Sequence, residues 1–367
     1  MYVTPRPLHE DDPLFPVRLA SIAVIGLACI QLFQPAIPPL LIALPVGLLA
    51  AQRKAFNPAK AFGGPIAFIV IIWLMTALVL VTRDLPVLML TLIFIIYFLA
   101  FFITRMTGSP IGMLVLIAAS LMSIMGMKQR VMIFYFRDGF IQGALIALIA
   151  IPILYWLLPP RTQHVHEDEN RPAYGHFVAG ALIRAVVMMG MTFWLYAVLP
   201  AQDMLLAVAA VFVLVFPTRK EAFAEAKERV YATVIGSGVG LLVLWLLAFS
   251  AHFMVLACLI FLAALFFGDR MIHGRHPAMV YQFALSATVA LVAGALSTQS
   301  PGSAAMMRVG LTFGGAISAT MLVALLEALL LKPLPEQPEA SDELLADQPL
   351  LQPVTGVEQD PVRDIGL

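Results

Sequence analysis

The chain has 367 residues, 61% of them hydrophobic and only 12% charged, with a mean hydropathy of +0.93. Soluble proteins carry charge on about a quarter of their residues, so this composition excludes a water-soluble design and places the chain in a membrane. Formal net charge is zero, which removes any electrostatic case for nucleic acid, and Cys29 and Cys258, alone in separate apolar stretches, argue against a disulfide framework or a thiolate metal site.

Residues 1–15 read as a cytoplasmic tail, with Glu10, Asp11 and Asp12 ahead of the first apolar run. No small-residue cleavage site follows, so that run is expected to persist as an anchor helix. Apolar segments of about 15 to 23 residues then match the length needed to cross about 30 Å of hydrocarbon. They predict spans at 16–34, 36–51, 65–82, 86–103, 111–127 and 139–158, a first membrane repeat over 16–160. Pro35, Pro38, Pro39 and Pro45 make the second span the least regular. The basic stretch from Lys128 to Asp138 falls on the outer side and reads as interfacial or re-entrant.

A polar linker over 161–176 is rich in His and acidic residues. Its His164, His166, Glu167, Asp168 and Glu169 read as a solvated loop, since nothing near them fixes a tetrahedral metal geometry. A second membrane repeat over 177–333 carries spans at 177–198, 203–217, 231–250, 252–268, 278–294 and 309–331. Ahead of its third span, Thr218 to Arg229 reads as a short helix lying on the cytoplasmic surface. Residues 334–367, rich in Pro and acidic residues, read as a disordered tail.

The two halves repeat in the same order. Phe101-Phe102-Ile103-Thr104-Arg105-Met106 returns as Phe266-Phe267-Gly268-Asp269-Arg270-Met271, Arg18 as Arg184, Arg53-Lys54 as Arg219-Lys220, and Arg137/Gly139/Gly143 as Arg308/Gly310/Gly314. An even number of spans per copy makes both copies enter the membrane from the same side. The expected fold is therefore an all-α polytopic membrane protein, with about 12 transmembrane helices as two parallel six-helix repeats. Of the 22 Lys and Arg residues, only Arg83, Lys128, Arg130, Arg137 and Arg308 fall on the outer side when the amino terminus is inside. That asymmetry predicts both termini in the cytoplasm.

Ionisable groups at membrane depth are costly unless paired or facing water, and so they form the candidate site. Arg18 and Arg184, one turn into the first helix of each copy, together with Arg105 and Arg270, are the candidate substrate-binding residues, because a guanidinium pairs bidentately with a carboxylate. Asp269, Glu327 and Asp138 are the candidate proton-coupling residues. Snorkelling to the headgroups is the alternative for Arg18 and Arg184, and local salt bridges are the alternative for the acids. Gly139/Gly143, Gly236/Gly240 and Gly310/Gly314 have the four-residue spacing of close helix packing. No P-loop, zinc-protease or paired-Cys pattern occurs, no cofactor or metal is implied, and no catalytic nucleophile and base can be assembled.

The chain resembles the fusaric acid resistance and aromatic acid exporter family of bacterial inner-membrane efflux proteins. The residues carrying the likeness are Arg229, Thr233, Gly236 and Gly240 at the third span of the second half, and Arg137 or Arg308 followed by Gly143 or Gly314 at a sixth span. Pro159 and Pro333 close the two halves in the same style. With a short linker and tail in place of large soluble domains, the chain looks like a compact branch. The resemblance implies export of small aromatic acids and related compounds from the inner membrane, beside a periplasmic membrane-fusion adaptor. Without an ATP site, the proton gradient and membrane potential are the available drive. A membrane scaffold or assembly subunit of an envelope complex, moving no solute, is the alternative; homo-oligomerisation stays open.

Overall fold

A bilayer offers no water to satisfy backbone amides, so a chain this apolar must pair them within each segment. The computed structural model describes residues 12–35, 38–108, 111–162, 177–198, 219–250, 252–296 and 301–330, and these are helical with no strand among them. The helices are α1 (Phe15–Phe33), α2 (Pro38–Ala50), α3 (Pro58–Thr82), α4 (Pro86–Thr107), α5 (Ile111–Lys128), α6 (Arg130–Leu157), α7 (Phe177–Val198), α8 (Arg219–Leu247), α9 (Phe253–His273), α10 (Ala278–Ala295) and α11 (Pro301–Leu330). Among the described residues, nine stretches are long and apolar enough to cross a membrane, and Leu41–Ala50 and Ile111–Met127 add shorter apolar helices. The chain is a multi-pass membrane protein. Trp73, Val81, Trp156 and Leu329, each more than half exposed, belong to its broad apolar exterior.

Local chemistry sets the boundaries. Proline in the first turn starts α1, α3 and α4, where its missing N–H costs nothing. Asn57 caps α3 by accepting from the amides of Ala59 at 3.0 Å and Lys60 at 3.4 Å. Gly108, at φ 70°, closes α4 with its N–H on the Thr104 carbonyl.

Several boundaries differ from those expected. The stretch from Arg130 to Asp138 is not a separate segment but the opening of α6, which runs unbroken to Leu157. Arg137 is accommodated there by stacking on Trp73 and Phe134, with centroid distances of 5.1 and 4.9 Å, and by pairing with Asp138. Likewise Arg219–Leu247 is one helix, so the expected surface helix and the following span are continuous. No Pro or Gly lies between Arg219 and Val234 to break the run. α3 and α11 begin earlier than expected, and α4 and α9 extend through Arg105 and Arg270. The expected span at 203–217, most of the linker and the tail after 333 lie outside the described residues.

The helices interlock across the sequence. α6 packs on α2 and α3, and α5 fits among α3, α4 and α6; in the later part α8 packs on α10 and α11, and α10 on α9. Between the groups α1 lies on α9, α4 on α7 and α2 on α10. Two buried cores result. One joins α3, α4, α5 and the start of α6 to α7 and α11, and the other joins α1, α2 and the end of α6 to α8, α9 and α10.

Small residues permit the closest approaches. A Cβ on Gly236 would stand 2.2 Å from the Ala284 carbonyl oxygen, so α8 and α10 touch backbone to backbone there. The Thr288 hydroxyl also reaches the Gly236 carbonyl, at 2.8 Å. Gly310 and Gly314 differ from this expectation of close packing: among the described residues no atom lies within 4 Å of a Cβ placed on either. They line an apolar groove of about 650 Å³ between α7 and α11, together with Trp194 and Ser318.

Candidate functional site

Arg18 enters α1 one turn from its start and is fully buried, so it does not snorkel to the surface. Its guanidinium pairs with the Asp12 carboxylate, donates from Nη1 to the Leu158 carbonyl at 2.8 Å and lies over the Tyr155 ring at 4.1 Å from its centroid. Leu158 ends α6, and because Pro159 and Pro160 follow, the last carbonyls of that helix need donors from elsewhere. A cation there also opposes the negative end of the helix dipole. Asp12 Oδ1 accepts from the Arg161 amide at 3.0 Å, while the Asp12 amide donates to the Arg53 carbonyl at 3.3 Å. The Tyr155 hydroxyl donates to the Gln52 carbonyl at 2.6 Å. The start of α1, the α2–α3 connection and the end of α6 are thus tied at one end of the bundle.

Arg184 lies two turns after the start of α7 and is equally buried, 1% exposed. Its carboxylate comes from a distant part of the chain: Nη1 donates to Glu327 Oε1 on α11 at 2.6 Å and to the Gly180 carbonyl at 3.3 Å. Arg105, in the last turn of α4, lies against the same turn of α7. A Cβ on Gly180 would stand 2.7 Å from Arg105 Cζ, so the guanidinium lies directly against Gly180 and would have to shift for any larger residue. Arg105 interacts electrostatically with both Arg184 and Glu327. Three helices thereby bring three of the sequence candidates into one cluster, two guanidiniums around one carboxylate. Glu327 keeps 16% exposure, so the cluster is close to a surface.

The remaining candidates stay outside this cluster. Asp269 and Arg270 are exposed at the end of α9, where Asp269 faces His273 Nδ1 at 3.0 Å and Arg270 lies over Phe266. Asp138 is about half exposed and is held by Arg137 at 2.7 Å. Arg308 has its helix position described but not its side chain, and the linker His/acid cluster lies outside the described residues. Among the described residues no group of His, Cys, Asp or Glu is placed to hold a metal ion.

Sequence reasoning missed Asp12, Tyr155 and Gly180 of these clusters. Asp12 was one of three acids ahead of the first helix, and nothing in the run distinguishes the one that turns inward; its spacing of six from Arg18 crosses a helix start. Gly180 carries a readable signal, since it sits one turn before Arg184 on the same helix face.

Among known proteins, residues 178–322 match the family described as fusaric acid resistance protein-like. The matched stretch contains Arg184 and the Arg229, Thr233, Gly236 and Gly240 pattern, and ends before Glu327. The resemblance read from the sequence is supported over that stretch. No curated protein and no solved structure matches the chain.

Proposed function

Taking the fusaric acid resistance protein-like match as premise, we propose that the chain is a secondary exporter of small aromatic or otherwise anionic compounds, with Arg105, Arg184 and Glu327 as its anion site. The observation carrying this reading is the convergence of two guanidiniums from α4 and α7 on one carboxylate from α11. Arginine forks recognise carboxylates, and Glu327 occupies the position that a substrate carboxylate would take in its absence. The aromatic class follows from the resemblance, and the anionic class from this cradle.

Proton coupling then takes a definite form. Protonation of Glu327 removes the internal competitor for Arg184 and favours the external anion, and by linkage a bound anion favours the proton. Because an anion carried out together with its proton moves no net charge, this linkage gates loading of the site, and the membrane potential acts only on an anion that leaves without the proton. An elementary negative charge leaving a negative interior gains about 2.3 kcal/mol per 100 mV. Arg18, closed by Asp12, Leu158 and Tyr155, serves as a clamp; Asp269, Arg270 and Asp138 lie off the path.

The proposed architecture is two parallel halves of six spans. Its support is the pairing of the first helix of each half with the fourth of the other, α1 on α9 and α7 on α4, and the recurrence of Arg18 as Arg184 in the sequence. The proposed location is the bacterial inner membrane with cytoplasmic termini, supported by the distribution of Lys and Arg. A periplasmic adaptor is proposed from the resemblance alone.

The test is flux of benzoate through reconstituted vesicles under an imposed potential. Arg105→Gln and Arg184→Gln are expected to abolish flux, and Glu327→Gln to tighten benzoate binding and flatten its pH dependence. Flux unaltered by both arginine variants overturns the assignment. Protein that moves no solute yet co-purifies stoichiometrically with a periplasmic partner supports the scaffold reading instead.

A further inference from the structure

Above the charge cluster, the seam between α4 and α7 carries a second polar group in the middle of the apolar bundle. Tyr97 lies eight residues before Arg105 on α4, and Thr192 eight residues after Arg184 on α7, about 12 Å along each helix. Ser120 and Ser123 of α5 complete the group. All four residues are fully buried, and the Tyr97 hydroxyl faces those of Thr192, Ser123 and Ser120.

Three of these hydroxyls already donate to carbonyls of their own helices: Thr192 to Met188 at 2.5 Å, Ser123 to Ser120 at 3.0 Å and Ser120 to Ile117 at 3.2 Å. Their oxygens still have acceptor capacity. The Tyr97 hydroxyl makes no well-aligned hydrogen bond. A buried hydroxyl left in this state is costly, and most of all in a bilayer. One donor facing three acceptors suits a guest that both accepts and donates, and four polar partners are enough to hold a water.

The corresponding seam between α1 and α9 lacks this chemistry. The repeat register that aligns Arg105 with Arg270 aligns Tyr97 with Leu262, and the one that aligns Arg184 with Arg18 aligns Thr192 with Gly26. Gly26 faces Ile42 of α2, and at the α1–α9 contact Gly268 meets Pro16 and Leu19, so the groups at these positions are apolar.

We propose that Tyr97, Ser120, Ser123 and Thr192 form an intramembrane water site, and that the α4–α7 seam is the hydrated route leading to the Arg105–Arg184–Glu327 cluster. The water site stands on its own observations; only its role as a route rests on the functional reading above. Water held there keeps the seam polar while helices separate, so the bundle opens along α4 and α7 and not along α1 and α9.

The test is aqueous accessibility in the full-length protein, with Cys29 and Cys258 changed to Ser. Ser123→Cys and Thr192→Cys are compared with Ala264→Cys, a fully buried position one turn before Gly268 on the face of α9 that meets α1. A small charged methanethiosulfonate, which modifies the thiolate form present in water, is expected to react at least about tenfold faster at Thr192→Cys on α7 and Ser123→Cys on the neighbouring α5 than at Ala264→Cys. Equal rates in both seams overturn the proposal. Because the readout is chemical labelling, it stands or falls whether or not benzoate is transported. Tyr97→Phe supplies the second measurement: it is expected to lower labelling of Ser123→Cys without changing that of Ala264→Cys, and unchanged labelling of both removes Tyr97 from the site.

Discussion

Arg18, one turn into α1, and Arg184, two turns into α7, are both buried, yet their surroundings differ in kind. Arg18 is closed by groups from the ends of α1 and α6, with its carboxylate only six residues away and its plane covered by Tyr155. Arg184 takes its carboxylate from Glu327 of α11, which is partly exposed, and Arg105 from α4 interacts electrostatically with both. The Arg18 guanidinium, enclosed by Asp12, Tyr155 and Leu158, ties the start of α1 to the end of α6. The Arg184 cluster draws on α4, α7 and α11, so relative movement of those helices would alter its pairing, which is the property the proposed function asks of it.

The largest expected effect attacks the clamp. Asp12→Ala leaves Arg18 buried without its carboxylate and should cost about 3–5 kcal/mol, read as a lowered midpoint of thermal unfolding in detergent. A small loss would mean that Arg18 is not the structural member of the pair. Next is the α8–α10 contact, where Gly236→Ala forces a Cβ against the Ala284 carbonyl; about 1–3 kcal/mol should be lost by the same measurement.

The comparison is sharpened by Glu327→Gln, which should keep the fold while tightening benzoate binding by about tenfold, or about 1.4 kcal/mol, in an equilibrium binding assay. If this variant unfolds as Asp12→Ala does, the two arginines play the same role. The smallest effect belongs to Gly310→Ala on the open groove, expected within about 0.5 kcal/mol of the parent. A loss as large as that of Gly236→Ala would show that the groove is packed.

Much of the fold was legible in the chain, because apolar run length is a direct physical requirement of the bilayer. The errors fell where polar residues continue a helix beyond the hydrocarbon. Arg130 to Asp138 and Arg219 to Arg229 were separated from their spans because charge was taken to end a helix, whereas helix propensity and aromatic stacking carry it through. The glycine pairs were alike in sequence but not in space. Gly236 abuts a backbone, and Gly310 faces open groove, since spacing fixes the face of a helix and not what lies opposite.

The candidate site was legible as a set of residues and not as an arrangement. Arg105, Arg184 and Glu327 were marked by the cost of charge at membrane depth, as were Arg270, Asp269 and Asp138. That cost says a group needs a partner, but the partner of Arg184 lies 143 residues away and that of Arg18 only six. By itself the sequence determined a polytopic helical membrane chain and a short roster of costly charges, because hydropathy is a property of a line. Which charges meet, which arginine is sealed and which seam stays polar were decided by how α1, α4, α7 and α11 pack, because contact between distant segments exists only once the helices have found their neighbours.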